Sequence, residues 1–139
     1  MAERRPDAVE TALRALRFRD RSAAELAARL EQRGVGEAER EQALDTLERI
    51  GYVDDQRFAR MRAKQLADRG FGDALIRDDL ERRGLAADVV EPALGALDPE
   101  RERAAPIAER RGRSAKTARY LASRGFGEEA LEELVAAEE

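Results

Sequence analysis

The sequence predicts an all-α protein built as a tandem array of three three-helix repeats, and three observations lead to this fold class. Ala, Glu, Leu and Arg are abundant, whereas aromatic residues make up only 4% of the chain, which favours helices over strands. Apolar residues recur every three or four positions, as on one face of a helix. The motif Leu-x-x-Arg-Gly-apolar closes the second helix of each predicted repeat at Gly34, Gly84 and Gly125, at the roughly 40- to 50-residue spacing of helical repeat proteins.

Composition also limits the classes of function. The chain has neither cysteine nor histidine, which excludes disulfides, zinc sites with Cys or His ligands and histidine-based acid–base catalysis. No apolar run reaches the roughly 20 residues that span a bilayer, and the charged N-terminus lacks the apolar core of a signal peptide. We therefore expect a cytoplasmic protein without a membrane partner. The net charge is −4, so any binding of nucleic acid would depend on local basic clusters.

The first predicted repeat covers residues 9–53 and follows a flexible N-terminus at residues 1–8. Its first helix follows from apolar residues at helix-face spacing. Ser22 and Glu25 form the sequence signature of a capping box at the start of the second helix. The third helix is predicted from Glu37 to Ile50, with Ile50 facing the core.

The joint between the first and second repeats is the stretch around which the chain is organised. Gly51 can adopt the left-handed conformation that closes a helix, and Asp54 or Asp55 can cap the helix that follows. Tyr52, Val53 and Phe58 are expected to fill the gap between helices and to lock their angle. The residues predicted to form this structural junction are Gly51, Tyr52, Val53, Asp54, Asp55 and Phe58.

The second repeat is predicted at residues 54–98 and the third at residues 99–139. The apolar residues that mark the three helices of the second repeat are Phe58, Met61, Leu66, Leu75, Ile76, Leu80, Val89, Val90, Ala93, Leu94 and Leu97. Pro92 falls early in the sixth helix, where proline is tolerated. In the third repeat, Pro106 is expected to kink or split the seventh helix, and two further helices reach about Ala137.

Charge follows the repeats. The first two helices of each repeat carry a net positive charge and the third carries a net negative charge. Stacked repeats would place basic and acidic stripes on different faces. Each acidic helix would equally well pair with its basic neighbours, and both arrangements remain open at this point.

Several of these motifs together resemble the RecX family of recombinase regulators over about residues 10–137. The stretch that resembles the family's most recognisable signature is Gly51-Tyr52-Val53-Asp54-Asp55-x-Arg57-Phe58-Ala59. The segments that continue the resemblance are Ala12-Leu13, Arg21-Ser22-x-x-Glu25-Leu26, Leu30-x-x-Arg33-Gly34, Ile76-x-x-x-Leu80-x-x-Arg83-Gly84-Leu85 and Leu121-x-x-Arg124-Gly125-Phe126. The departures from the pattern are Pro92, Pro106 and the joint Gly70-Phe71-Gly72-Asp73 in place of Arg-Ser.

The resemblance implies an elongated, slightly curved array that binds the RecA recombinase filament on DNA and lodges in its helical groove. It implies inhibition of strand exchange, ATP hydrolysis and coprotease activity, and hence modulation of homologous recombination, DNA repair and the SOS response. Members of the family are modulators rather than enzymes. We expect a monomer without cofactors, with single- or double-stranded DNA as a further candidate partner.

Basic side chains are the candidates for contact with such a filament. Arg57, Arg60 and Lys64 follow the i, i+3, i+7 spacing of one helix face, and arginine pairs bidentately with carboxylates and phosphates. For any single arginine, a solvated surface position is the simpler interpretation. The predicted partner-binding residues are Arg57, Arg60, Lys64, Arg69, Arg82, Arg83, Arg110, Arg111, Arg113, Lys116 and Arg119.

Catalysis and metal binding are not predicted. Asp54-Asp55 and Asp78-Asp79 are paired carboxylates, but adjacent helical residues point about 100° apart and no third ligand is suggested. The glycine-rich stretch at residues 69–72 lacks the Lys-Ser/Thr of a phosphate-binding loop and is predicted to be a helix joint.

Two alternatives to a filament regulator remain. Basic clusters and the serine-capped second helix are compatible with a stand-alone DNA-binding module of trihelical units, although the negative net charge argues against it. The other alternative is a passive helical scaffold for another protein. A stacked array should have a radius of gyration above the roughly 14 Å of a compact globule of this length. Tyr52→Ala is predicted to abolish inhibition through altered shape or stability.

Overall fold

The computed structural model describes the backbone of residues 7–136 and the side chains of residues 7–134. Within these residues the chain forms nine α-helices and no strand, which confirms the all-α prediction. The helices are α1 (Ala8–Phe18), α2 (Ala23–Gln32), α3 (Glu37–Arg49), α4 (Asp55–Asp68), α5 (Asp73–Arg82), α6 (Ala87–Gly95), α7 (Glu100–Arg111), α8 (Ala115–Ser123) and α9 (Glu128–Ala136). Most of the predicted flexible N-terminus lies outside the described residues, but Asp7 caps α1 and Ala8 begins it.

The helices group into two compact units. The first unit comprises the chain up to Phe58 together with Arg83–Leu85, and the second comprises Ala59–Arg82 and the chain from Ala86 onwards. The predicted boundaries of three repeats and the elongated, curved shape stay predictions. None of the helices in the described part of the chain has the length and apolar character needed to cross a membrane.

In the first unit, α1, α2 and α3 pack around one aliphatic core. The capping box predicted at the start of α2 is confirmed, because Ser22 Oγ accepts from the N–H of Glu25 and the Glu25 carboxylate accepts from the N–H of Ser22. This cap fixes where α2 begins and so which of its faces turns inward. The buried core residues are Ala12, Ala15, Leu26, Leu30, Val35, Ala43, Leu47 and Val53.

In the second unit, α5 packs on α6, and α9 packs on both α7 and α8. Ser114 caps α8 by accepting from the N–H of Thr117, as Ser22 caps α2. The buried cluster shared by the last three helices is Ala104, Ala108, Leu121, Phe126 and Leu134. The apolar faces of α5 and α6 contribute Ile76, Leu80, Val90, Ala93 and Leu94 to the buried residues.

The recurrent Leu-x-x-Arg-Gly-apolar motif forms the same helix-closing turn wherever its hydrogen bonds are described. After α2, the N–H of Val35 donates to the carbonyl of Leu30 and Gly34 has a φ of 81°, which is the Schellman arrangement. The end of α8 repeats this turn. A further copy at Leu66–Phe71 closes α4, which is a first helix of a predicted repeat. The motif therefore marks helix ends in general rather than second helices alone.

Pro92 and Pro106 lie inside helices, and both helices are continuous. Pro106 lies in α7, which runs unbroken from Glu100 to Arg111, so the prediction that it splits the helix is wrong. Pro92 is the sixth of the nine residues of α6, later than the early position that was predicted. A proline there removes a single backbone hydrogen bond, and the buried face of Val90, Ala93 and Leu94 is retained.

Three apolar residues from the predicted helix patterns are exposed, and one of them, Ile50, was expected to face the core. Ile50 is 58% exposed because it is the C-cap of α3 and lies beyond the last turn that faces the core. Met61 is exposed because Ala59 and Ala63 form the buried stripe of α4, and a step of two residues turns about 200° around a helix. Leu75 is also exposed, and its neighbour Ile76 occupies the buried position instead.

Candidate partner-binding surface

The junction at residues 51–59 is a pair of linked caps. Gly51 has a φ of 84°, and the N–H of Tyr52 donates to the carbonyl of Leu47 at 2.9 Å, which closes α3. Asp54 Oδ1 then accepts from the N–H of Arg57 at 3.1 Å and caps α4. The predicted left-handed glycine and the aspartate cap are both confirmed.

Asp55 has a different task, which the sequence did not reveal. Its Oδ1 accepts from the N–H of Ala23 at 2.8 Å, so it satisfies the first amide of α2. The fully buried Ser22 donates from Oγ to the carbonyl of Arg83 at 2.7 Å. Three distant stretches of the first unit are therefore tied together at the N-terminus of α2.

Tyr52 does not fill a gap between helices. It is 56% exposed, whereas Val53 is 3% exposed and Phe58 is also buried. Val53 takes the position in the core beside Leu47, and the Tyr52 ring faces solvent. The ring borders a cleft of about 350 Å³ together with Leu13 and Leu16. The expectation that Tyr52 fills a gap between helices is wrong, whereas Val53 and Phe58 do face the interior. That these residues lock the helix angle stays a prediction.

The three predicted cations of α4 are exposed but differ in their contacts. Arg57 Nη1 donates to the carbonyl of Gly51 at 3.1 Å, so this side chain helps to close the junction. Lys64 Nζ lies 3.8 Å from the Asp68 carboxylate, an exposed pair that water competes with. Arg60 has no hydrogen-bond or ion-pair partner among the described side chains, and it is the cation of this face most available to a partner.

In the second unit, predicted residues from α7 and from the end of α4 meet at one cleft. Arg69, Arg110 and Arg111 line a cavity of about 480 Å³, which we call the arginine cleft. The Arg111 guanidinium lies 3.4 Å from the centroid of the Tyr120 ring, where the ring attracts the cation. Arg69 and Arg110 have no side-chain partner within the described residues. Their N–H donors are therefore open to an incoming anion.

Arg103 also lines this cleft but is committed to the fold. It donates to the carbonyl of Asp98 at 2.8 Å and to that of Phe71 at 3.0 Å, and it pairs with the Asp73 carboxylate. These bonds link the start of α7 to the start of α5. The sequence offered no signal that separates this arginine from its exposed neighbours, because the pattern of α7 does not specify which loops lie against it.

The remaining predicted residues divide into paired and unpaired cations. Arg82 pairs with Asp78 at 3.0 Å, and Arg113 lies 4.0 Å from Glu109. The half-buried Arg83 binds Glu25 at 3.1 Å, so it stabilises the first unit. Lys116 and Arg119 are exposed and have no partner among the residues with described side chains.

The paired carboxylates are engaged by the fold. Asp79 binds Arg62 bidentately, with Nε–Oδ2 and Nη2–Oδ1 distances of 3.0 Å, and Asp78 pairs with Arg82. Among the residues that the structure describes, no group of three or more acidic side chains is arranged to hold a metal ion. Both aspartates of the second pair are therefore held in ion pairs with arginines.

One ion pair shifts the pKa of both partners. Arg77 donates through Nε and Nη2 to the two Glu91 oxygens at 2.8 and 3.2 Å. These hydrogen bonds favour the charged carboxylate and lower the pKa of Glu91 below its ordinary value. The same bonds raise the pKa of Arg77. The pair links α5 to α6 inside the second unit.

Family models match two segments of the chain. The model described as the first three-helix domain of RecX matches residues 8–47. The model described as the second three-helix domain of RecX matches residues 54–94. Together the two models match more than half of the chain.

Relatives from several bacteria carry the name regulatory protein RecX. The protein from Deinococcus radiodurans is 36% identical over 135 residues, covering 90% of this chain and 65% of its own length. A protein from Thermus thermophilus is 39% identical over 122 residues, covering 86% of this chain and 84% of its own. The protein from Mycobacterium leprae is 30% identical over 152 residues, covering 99% of this chain and 89% of its own.

Two solved structures share the fold. RecX from Lactobacillus salivarius superposes with a TM-score of 0.81 at 18% identity, over 94% of this chain and 93% of that one. A second structure, described as regulatory protein RecX, gives a TM-score of 0.78 at 23% identity, over 91% of this chain and 70% of that one. At these identities the likeness shows the fold alone. On the family models and the sequence relatives, this chain belongs to the RecX family of regulatory proteins.

Proposed function

We propose that the protein binds the RecA recombinase filament on DNA and inhibits its recombinase, ATPase and coprotease activities, thereby modulating DNA repair, homologous recombination and the SOS response. Membership of the RecX family is the observation that carries this proposal. In this proposal the protein acts by binding, as a cytoplasmic monomer without a cofactor. The chain spans 65% of the length of its Deinococcus relative, so the activity is proposed for the region that the two share.

The exposed cations supply a physical basis for binding. A filament on DNA presents carboxylates of the protein and phosphates of the nucleic acid, and arginine binds both through paired N–H donors. Arg60 on α4 and Arg69 and Arg110 in the arginine cleft are exposed and are not used by described neighbours. A partner that brings anions to them would gain charge-assisted hydrogen bonds without breaking internal ones.

The test is a titration of DNA-dependent ATP hydrolysis by the RecA of the same organism. We expect inhibition at substoichiometric or near-stoichiometric ratios, together with co-sedimentation of the protein with filaments. The double charge reversal Arg60→Glu/Lys64→Glu should raise the concentration for half-inhibition about tenfold or more, because each site would repel an anionic partner. Arg57→Glu is assayed separately because Arg57 also bonds to Gly51.

Arg49→Glu is the matched control for Arg60→Glu alone, because each changes the net charge by about two, half the change made by the double reversal. Arg49 is an exposed arginine whose ion pair is with Asp45 of its own helix, and its reversal changes the net charge without touching α4. Equal weakening by the control and by the α4 reversals would mean that net charge, rather than the α4 face, decides binding. Failure of the wild-type protein both to inhibit and to co-sediment would refute the proposal.

A stand-alone DNA-binding module is the second candidate, and the arginine cleft is the observation that favours it. It predicts duplex binding in the absence of RecA, with an affinity that falls steeply as salt is raised. Inhibition of the recombinase without measurable duplex binding would count against this candidate and for the filament regulator.

A further inference from the structure

In the first unit, the turn that closes α5 lies against the start of α2. The hydroxyl of Ser22, the cap of α2, donates to the carbonyl of Arg83 at 2.7 Å, and Arg83 Nη1 donates to Glu25 at 3.1 Å. A Cβ at Gly84 would overlap the Cβ of Ala24, so the glycine is what lets the turn come this close. The contact joins a helix-closing turn to the first turn of another helix.

In the second unit, the turn that closes α8 makes a contact of the same kind with the start of α5. Gly72 precedes α5 as Ser22 precedes α2, and its N–H donates to the carbonyl of Arg124 at 2.8 Å. A Cβ at Gly125 would lie only 2.7 Å from the backbone nitrogen of Leu75. In both contacts the arginine carbonyl accepts from the cap position, and the glycine that follows permits the close approach.

A carboxylate completes each of these two contacts. Asp55, the first residue of α4, accepts from the N–H of Ala23 at 2.8 Å. Glu100, the first residue of α7, accepts from the N–H of Asp73 at 3.0 Å. Ala23 and Asp73 are the first residues of α2 and α5, and such amides have no partner within their own helix. The carboxylate therefore supplies the acceptor that the start of the helix lacks.

The start of α8 and the closing turn of α2 have no such contact among the described residues. Ser114 caps α8, but Ser114 and Ala115 are exposed, whereas Ser22 is fully buried. Arg33 and Gly34 are also exposed, and nothing lies within 4 Å of a Cβ at Gly34. No described group donates a hydrogen bond to the carbonyl of Arg33. The chain therefore carries one unoccupied helix start and one unoccupied turn.

The unoccupied start differs from the occupied ones in its second residue. Lys116 lies where α2 has Ala24 and α5 has Ala74. A turn that docked there as Arg83 docks on α2 would bring Arg33 beside Lys116, and two cations at close range repel each other. The longer side chain also fills space that an alanine leaves free. Lys116 thus opposes occupation of this helix start.

Two acceptors that the occupied contacts use are also missing. Thr117 lies where α2 has Glu25, so the incoming arginine would find no carboxylate. Ala8 is the first residue of α1, where α4 begins with Asp55 and α7 begins with Glu100. The first amide of α8 would therefore remain without its acceptor.

We infer that the start of α8 is shaped to receive the closing turn of α2 from a second copy of this chain, and that Lys116, Thr117 and Ala8 keep this contact from forming. The partner is a second copy because one chain carries both halves, and the internal contacts show how such halves fit together. Segments of one chain also meet at a high effective concentration, which separate copies lack. The inference goes beyond the proposed function, since neither recombinase nor nucleic acid takes part, and it gives a physical reason for a monomer.

The experiment is sedimentation velocity of the full chain over two decades of protein concentration. The wild type should sediment as a monomer throughout. The triple variant Ala8→Asp/Lys116→Ala/Thr117→Glu should form species that grow with concentration, because a head-to-tail contact does not stop at a pair. Each substitution should raise the association constant about tenfold, as expected for one charged hydrogen bond gained or one like-charge contact removed. The double variant Ala8→Asp/Lys116→Ala leaves the buried Thr117 in place and should associate to an intermediate extent.

Gly34→Asn tests whether the closing turn of α2 is the other half. Gly34 has a φ of 81°, a conformation that asparagine tolerates, and the added side chain would fill the space that the contact needs. In the triple variant it should restore the monomer. Mixing Gly34→Asn/Lys116→Ala/Thr117→Glu, which keeps only a working helix start, with Ala8→Asp, which keeps only a working turn, should give a pair and no larger species.

Two matched controls separate this contact from general effects. Ala8→Asp/Lys64→Ala/Gln65→Glu makes the same change in charge, but on adjacent exposed residues of α4, and it should stay monomeric. Gly51 has a φ of 84° and free space around a Cβ, so Gly51→Asn in the triple variant should leave association unchanged. Circular dichroism establishes that each variant is folded.

Four results would overturn the inference. The first is a folded triple variant and a folded double variant that both stay monomeric at the highest concentration. The second is association that Gly34→Asn does not reverse. The third is equal association by the charge control on α4. The fourth is association of the wild type as strong as that of the triple variant, which would show that the three residues do not oppose the contact.

Discussion

Gly72 lies where the beginning of α5 meets the closing turn of α8. Its N–H donates to the carbonyl of Arg124 at 2.8 Å, and the N–H of Ala74 donates to the carbonyl of Gly125 at 3.1 Å. A Cβ at position 72 would overlap backbone atoms of Gly125 and Phe126, and backbone held in a turn cannot move aside. The absence of a side chain is therefore what allows this approach.

Gly72→Ala should lower the free energy of unfolding by about 1–3 kcal/mol, the usual range for overpacking, as measured by urea denaturation. Gly95→Ala is the matched control, because nothing lies near a Cβ at this helical glycine and alanine favours helix by up to about 1 kcal/mol. Equal stability of the Gly72 variant and the wild type would show that α5 and α8 can separate slightly without penalty.

Truncation of the adjacent residues Tyr52 and Val53 should change the stability of the protein by very different amounts. Val53→Ala should destabilise the protein by roughly 1–3 kcal/mol through a cavity next to Leu47. Tyr52→Ala should change the free energy of unfolding by less than about 0.5 kcal/mol, because its ring is exposed. Thermal melting of both variants is the measurement, and a Tyr52 variant that melts like Val53→Ala would restore the structural role expected from the sequence.

At the scale of elements, the Arg77–Glu91 pair joins α5 to α6 and makes part of the stability depend on pH. The folded-state pKa of Glu91 is below its ordinary value, so the contribution is complete above about pH 4.3, the usual pKa of glutamate. It is lost as pH falls further, through the folded-state value. Glu91→Gln should therefore be less stable than wild type near pH 7, and this difference in stability should be smaller near pH 3.

Urea midpoints of the wild type and of Glu91→Gln at the two pH values give this comparison. Glu81→Gln is a suitable control, because Glu81 is an exposed acid of α5 that acts on Arg77 only through its charge. A Glu91→Gln effect of the same size at both pH values would show that shape, and not charge, is what the substitution removes.

Helix starts and ends could be predicted because their chemistry is local. Ser22 with Glu25 and the glycines with positive φ act on neighbours within a few residues. The errors fell where a position depends on the rest of the fold. Met61 has helix-face spacing, but the buried stripe of α4 is set by the residues that pack on it. Pro106 lies inside α7, and the helix continues on either side of it.

For the whole molecule, the net charge of −4 hides local basic surfaces that only the folded chain assembles. Arg69 and Arg110 are far apart in sequence and line one cleft, and Arg103 lines the same cleft but is occupied by internal bonds. The predicted partner-binding residues follow from charge and spacing alone, and their role stays a prediction. The exposure of Phe18 was not predicted, since a phenylalanine close to Leu16 in an apolar helix pattern gives no sign of it.

The first unit is completed by residues that lie well beyond the rest of it in the sequence. The Ser22 hydroxyl donates to the carbonyl of Arg83, and the Arg83 side chain pairs with Glu25. During synthesis, the ribosome must therefore add all of α4 and α5 before the N-terminus of α2 has its full set of partners. A nascent chain that ends at Phe58 would leave the buried Ser22 hydroxyl without this acceptor, at a cost of about 1–3 kcal/mol. The first unit is thus contiguous in space but not in sequence, and its folding should be completed only after translation has passed Leu85.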